Sequence, residues 1–118
     1  MLLRHVALAV QDEQRSREFY ERWFGFGAEP PRRYPDGVLM LYGRGDVSLA
    51  LGPAEGPPAL PRFLHFGFTV EEPGTVRHLR DGFAAAGVEI VEFWDEPDYV
   101  SVKVRDPDGY VVETSWEP

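Results

Sequence analysis

The strongest constraint on this chain is that its strand pattern is written twice. His5-Val-Ala-Leu-Ala-Val10 and His65-Phe-Gly-Phe-Thr-Val70 are short alternating runs, each opening on a histidine and set 60 positions apart. Alternation with period two predicts half-buried strands. Between the two copies, Gly52-Pro-Ala-Glu-Gly-Pro-Pro-Ala-Leu-Pro61 carries four prolines and two glycines, which oppose both a helix and a central strand. The expected organisation is a module at 1–51, a linker at 52–61 and a module at 62–118, all within one domain. A chain of 118 residues is long enough for one core and too short for two independent ones.

Each opening strand is followed by a helical pattern. Asp12 is placed to cap a helix whose Ser16, Phe19, Tyr20, Trp23 and Phe24 share one face, with Gly25 as the stop. In the second copy Val76, Leu79, Phe83 and Ala86 share a face and Gly87 is the stop. Three further strands are expected in each half. The first half has Gly27 to Arg33, then Val38 to Tyr42 turning through Arg44-Gly45-Asp46 into Val47 to Leu51. The second has Glu89 to Trp94, then Val100 to Arg105 turning through Asp106-Pro-Asp-Gly109 into Tyr110 to Trp116. The unit is β-α-β-β-β, present twice, and the fold class is α+β.

Parity assigns the strand faces. Val6, Leu8 and Val10 oppose His5, Ala7 and Ala9, while Leu64, Phe66 and Phe68 oppose His65, Gly67 and Thr69. The bulky faces suit the helices. The small faces carry both histidines and leave room for a cup that holds something other than core.

Charge and composition limit what that could be. The formal charge of -8 repels nucleic-acid phosphates and anionic lipid, so no nucleic acid and no membrane partner is expected; a small molecule is the expected ligand. The first apolar run is interrupted by Arg4 and His5 and resembles no secretory core, which predicts a soluble, cytoplasmic protein. With no cysteine, any metal must be held by nitrogen and oxygen.

In the last strand Glu113 shares the parity of Val111 and Ser115, opposed to Val112 and Thr114, so a carboxylate can join the two histidines. His5, His65 and Glu113 would form a two-imidazole, one-carboxylate set that leaves positions open on a divalent ion such as Fe, Mn, Ni or Zn. Taken singly, a strand histidine is usually surface or core, and a late Glu is usually solvated; the shared register sets these three apart. His78, inside the second helix, is expected to be exposed. Lys103, the sole lysine, shares the parity of Ser101 and Arg105. It reads either as a catalytic cation stabilising an oxyanion or as an edge-strand lysine that opposes aggregation. Ser101, Tyr42, Trp94 and Tyr99 are candidate substrate contacts. Five of the ten residues Glu89 to Asp98 are acidic, which would favour a cationic aromatic ligand if they line the mouth of a pocket.

Taken in order, His5-Val-Ala-Leu-Ala-Val, Phe19-Tyr20, Gly25-Phe26, His65-Phe-Gly-Phe, Asp106-Pro-Asp-Gly and Val112-Glu113 resemble the vicinal oxygen chelate superfamily of glyoxalases, extradiol dioxygenases, fosfomycin transferases and bleomycin-binding proteins. The resemblance implies two β-α-β-β-β modules forming a curved mixed sheet around a metal-binding cup, often in a homodimer. It implies His5, His65 and Glu113 as metal ligands. Ala50 falls where glyoxalase I carries a fourth ligand, and Ala7 where fosfomycin transferases carry a threonine; only His78 is left for the extra histidine of extradiol enzymes. The functional expectation is a metal-dependent enzyme (dioxygenase, isomerase/lyase or transferase), the alternative a metal-free protein that sequesters a drug, as in bleomycin resistance.

Overall fold

The computed structural model describes every residue, Met1–Pro118, and divides into two units, Met1–Ala59 and Leu60–Pro118. The first runs β1 (His5–Val10), α1 (Glu13–Trp23), β2 (Glu29–Arg33), β3 (Leu39–Tyr42) and β4 (Ser48–Pro53); the second runs β5 (His65–Thr69), α2 (Pro73–Ala85), β6 (Ile90–Glu96), β7 (Tyr99–Arg105) and β8 (Val111–Trp116). Each unit therefore realises the repeated β-α-β-β-β pattern.

Both sheets are mixed and share one order, β1-β4-β3-β2 and β5-β8-β7-β6. The first and last strands of each unit pair in parallel and the other neighbours are antiparallel. Parallel neighbours cannot be joined by a tight turn, so a helix and two more strands intervene. The registers also match: His5 lies opposite Ser48 and Ala7 opposite Ala50, while His65 lies opposite Val111 and Gly67 opposite Glu113.

α1 begins at Asp12, whose side chain accepts the Arg15 N–H, and ends before Gly25, which takes φ +73°. Its buried centre is Ser16 and Tyr20, with Phe19, Trp23 and Phe24 flanking at partial exposure. α2 has Pro73 in its first turn and buries Val76 and Phe83. Ala86, expected on that face, is exposed at the helix end. Leu8, Val10, Leu49 and Leu51 form the helix side of the first sheet, and Val100, Val102, Val104 and Val112 that of the second. The bulky strand faces are thus the helix beds.

Two edges depart from simple alternation. β2 is Glu-Pro-Pro-Arg-Arg, and its prolines lie in a register shift between Glu29 and Arg32 on the sheet edge, where missing N–H groups are tolerated. β6, the equivalent edge, shifts register between Ile90 and Glu92. The expected end of the first module also moves, because β4 continues through Gly52 and Pro53. β3 has no residue beyond Leu39 to pair past Leu51, and the Ala54 N–H supplies the bond to the Val10 carbonyl. Pro53 therefore deprives no partner strand of a hydrogen bond. No helix is long and apolar enough to cross a membrane.

Candidate metal centre

The second unit gathers most of the expected residues on one face of its sheet, away from α2. Glu113 stands between Gly67 and Lys103, and Lys103 is opposite Glu92; in the next row Thr69, Ser115, Ser101 and Trp94 are neighbours across the four strands. Shared register places these side chains on one side.

His65 Nε2 and Glu113 Oε2 are 3.3 Å apart, with both side chains mostly buried. The other ring nitrogen, Nδ1, lies 2.8 Å from the Phe63 carbonyl. A carbonyl can only accept, so Nδ1 carries the proton and, in the neutral ring, Nε2 presents its lone pair. The other carboxylate oxygen, Oε1, accepts from the Tyr99 hydroxyl at 2.6 Å and the Ser101 hydroxyl at 2.5 Å. Burial pushes the Glu113 pKa up, but these two hydrogen bonds and the Lys103 charge outweigh it and leave the pKa lowered. The same bond raises the pKa of Tyr99.

The pair is built as metal ligands are usually supported: the histidine proton is anchored on a backbone carbonyl and the carboxylate is oriented by hydroxyls. Two donor atoms about 2.1 Å from one ion at right angles lie about 3 Å apart, close to the observed 3.3 Å. The spacing of this pair thus suits two adjacent ligands of one divalent ion. Neither unit by itself gathers three His, Asp or Glu side chains into a metal-binding group.

Ser101 and Tyr99, expected as substrate contacts, each donate a hydrogen bond to Glu113. Trp94, 49% exposed, donates its indole N–H to Glu92. Lys103 lies on β7, an inner strand between β8 and β6, with its side chain 13% exposed. That position excludes the edge-strand reading. Its ammonium lies 3.3 Å from Glu92 and 5.6 Å from the centre of the Phe63 ring.

In the first unit, His5 Nδ1 is 2.9 Å from the Ser48 hydroxyl, and the register continues to Tyr42. Partial desolvation and a hydrogen bond with Tyr34 raise the Tyr42 pKa. His78 is exposed on α2.

Two residues escaped the sequence reading. Strict alternation from Ile90 would turn Glu92 toward α2, but the extra residue in β6 reverses its side. Phe63 adopts φ +73°, an uncommon conformation for a bulky side chain, and its ring meets that of His65 edge-on at 5.2 Å. The acidic run is also largely paired: Glu89 with Arg105, Glu92 with Lys103 and Asp95 with Arg77. It does not form a uniformly anionic wall.

The sequence profile of the Glyoxalase/Bleomycin resistance protein/Dioxygenase superfamily matches residues 2–114. The chain belongs to this superfamily. No protein of curated function matches it in sequence. Among solved structures, the genomically encoded fosfomycin resistance protein FosX from Listeria monocytogenes is 15% identical with a TM-score of 0.81, over 100% of this chain and 94% of that one. A glyoxylase/bleomycin resistance protein/dioxygenase domain from Frankia sp. EAN1pec is 21% identical with a TM-score of 0.81, over 100% and 98%. Lactoylglutathione lyase from Agrobacterium tumefaciens is 24% identical with a TM-score of 0.74, over 98% and 92%. At these identities the likeness is one of fold. Within this superfamily fold, the register makes Ala50 the counterpart of Glu113, so the first sheet offers no carboxylate at that position.

Proposed function

We propose that this chain is a metal-dependent enzyme that holds a small substrate by adjacent oxygens on a divalent ion, with His5, His65 and Glu113 as ligands. The observation that carries the reading is the facing of His65 Nε2 and Glu113 Oε2 at 3.3 Å while their other polar atoms are held by Phe63, Tyr99 and Ser101. In the neutral-ring form this places two lone pairs side by side, an arrangement that a cation relieves. A bound Fe, Mn, Ni or Zn ion would supply Lewis-acid stabilisation of a developing oxyanion, the shared requirement of dioxygenase, isomerase/lyase and transferase chemistry. A FosX mutant crystallised with Mn(II) and 1S,2S-dihydroxypropylphosphonic acid is an example of such a pairing on this fold.

The chain's own groups have separate tasks in this reading. Phe63 O fixes the His65 proton on Nδ1. Tyr99 and Ser101 hold Glu113 ionised and orient Oε2. Lys103 adds a positive charge one strand away, where it would stabilise negative charge on the substrate.

His5 completes the ligand set in a homodimer under this proposal. Purified protein reconstituted with Mn(II) or Zn(II) is expected to hold about one ion per chain, and His65→Ala to hold none; a wild type that retains no ion would overturn the reading. Mixing His5→Ala with Glu113→Ala tests the homodimer, because exchange of chains between dimers would rebuild one intact site per mixed dimer and recover metal binding. No recovery despite demonstrated chain exchange would exclude a site shared between chains. The rival, a metal-free drug-binding protein, predicts tight binding of a cationic aromatic drug by metal-stripped protein. The pairing of Glu89, Glu92 and Asp95 with cations removes much of that rival's support.

A further inference from the structure

Beside His65, on the same face of the second sheet, lies a cavity of about 460 Å³ bounded by residues 60–65 and by β6, β7 and β8. Its walls are partly apolar, through Leu60, Leu64, Val91 and Val111, and three cations reach it: Arg62, Lys103 and Arg105. Glu92 is the one carboxylate in the lining. In a chain of net charge -8 this is a local reversal of sign.

Lys103 is the informative member. Its side chain is 13% exposed, and an ammonium has three protons to place. It meets one hydrogen-bond acceptor, Glu92, at 3.3 Å. That carboxylate is 41% exposed and also accepts from the Trp94 indole. The Phe63 ring gives the ammonium a π face and no further acceptor. Arg105 is better matched, by Glu89 at 2.6 Å and the Gly109 carbonyl at 3.2 Å. Desolvating a cation is costly unless its donors are satisfied. Lys103 is therefore a largely buried cation with unused donors at the wall of an open cavity.

We propose that this cavity binds the anionic group of the substrate, and that the substrate is a small organic acid with an apolar body. Its anion takes the open donors of Lys103 in the field of Arg62 and Arg105, and its apolar part lies against Leu60, Leu64 and Val91. The placement of its reacting oxygens toward His65 and Glu113 rests on the metal-enzyme reading; the binding of the anion does not.

Metal-free protein titrated with benzoate, benzamide and benzylamine, followed by the backbone amide resonances of Phe63, Lys103 and Arg105, separates the two. Benzoate is expected to saturate those resonances, benzamide to bind at least tenfold more weakly, and benzylamine not to bind. Lys103→Met should weaken benzoate at least tenfold, Lys103→Arg should retain it, and Arg62→Gln, on an exposed segment, should weaken it about threefold. Because these titrations use metal-free protein, a wild type that retains no ion on reconstitution overturns the metal reading and leaves this result standing. Benzamide or benzylamine binding as tightly as benzoate, no saturable benzoate binding, or wild-type affinity in both Lys103→Met and Arg62→Gln would overturn the proposal.

Discussion

Gly67 lies so close to Glu113 that a Cβ added to it would sit 2.8 Å from the Glu113 carbonyl oxygen and 3.0 Å from its Cβ. The two residues are paired across the parallel strands β5 and β8, so the absence of a side chain at 67 lets the carboxylate strand approach the histidine strand. Gly67→Ala is expected to force those strands apart and cost about 1–3 kcal/mol of stability. It should also weaken metal binding by moving Glu113 relative to His65. Thermal unfolding of the metal-free protein and metal titration would measure the two effects; an unchanged melting temperature would show that the strands yield freely.

Tyr99 and Ser101 share one oxygen of Glu113. Removing either hydroxyl leaves that oxygen to water or to rotation of the carboxylate. Residues that orient ligands in this way typically contribute about 10–100-fold to metal affinity. Tyr99→Phe and Ser101→Ala are each expected to fall in that range by calorimetric titration with Mn(II) or Zn(II). Unaltered affinity in both would mean that Glu113 is oriented by packing alone.

Thr114 Oγ1 is buried on the helix side of β8 and has no hydrogen-bond partner. A buried hydroxyl without a partner carries its desolvation cost uncompensated. Thr114→Val keeps the shape and removes that cost, so it should stabilise the protein by about 1 kcal/mol. Denaturant unfolding monitored by tryptophan fluorescence would detect it, and a loss of stability would refute the assignment.

Arg33 on β2 and Glu13 at the start of α1 form a two-pronged ion pair at 2.5 and 2.8 Å. The hydrogen bond from Arg33 lowers the Glu13 pKa against the opposing effect of burial. A carboxyl with a lowered folded-state pKa binds fewer protons folded than unfolded. Its contribution is therefore present above the unfolded value of 4.5 and fades as pH falls through the lower folded value. Melting temperatures of wild type and Arg33→Ala should differ at pH 7 and converge as the pH is lowered beneath 4.5. The difference should be small, since both side chains are at least a third exposed; a gap that widens in acid would contradict the sign.

Much of this molecule follows from local rules. The repeat, the capped helices, the Asp-Pro-Asp-Gly turn and the alternation of bulky and small strand residues are written in neighbouring side chains, because a strand repeats every two residues and a helix about every 3.6. The facing of Glu113 toward its own strand's polar side and the equivalence of Ala50 to it were legible for the same reason.

The tertiary structure decided what depends on which strands meet. Lys103 became an inner-strand residue because β7 is flanked on both sides, and no local pattern states the order of strands in a sheet. Glu92 joined it because one extra residue in an edge strand reverses parity, an effect invisible to strict alternation. Tyr99 and Ser101 hold Glu113 because pairing β7 with β8 fixes which hydroxyls reach which carboxylate oxygen. Sequence determined the residue types and the faces; the pairing of distant strands determined which polar atoms are satisfied within the protein and which are left for a ligand.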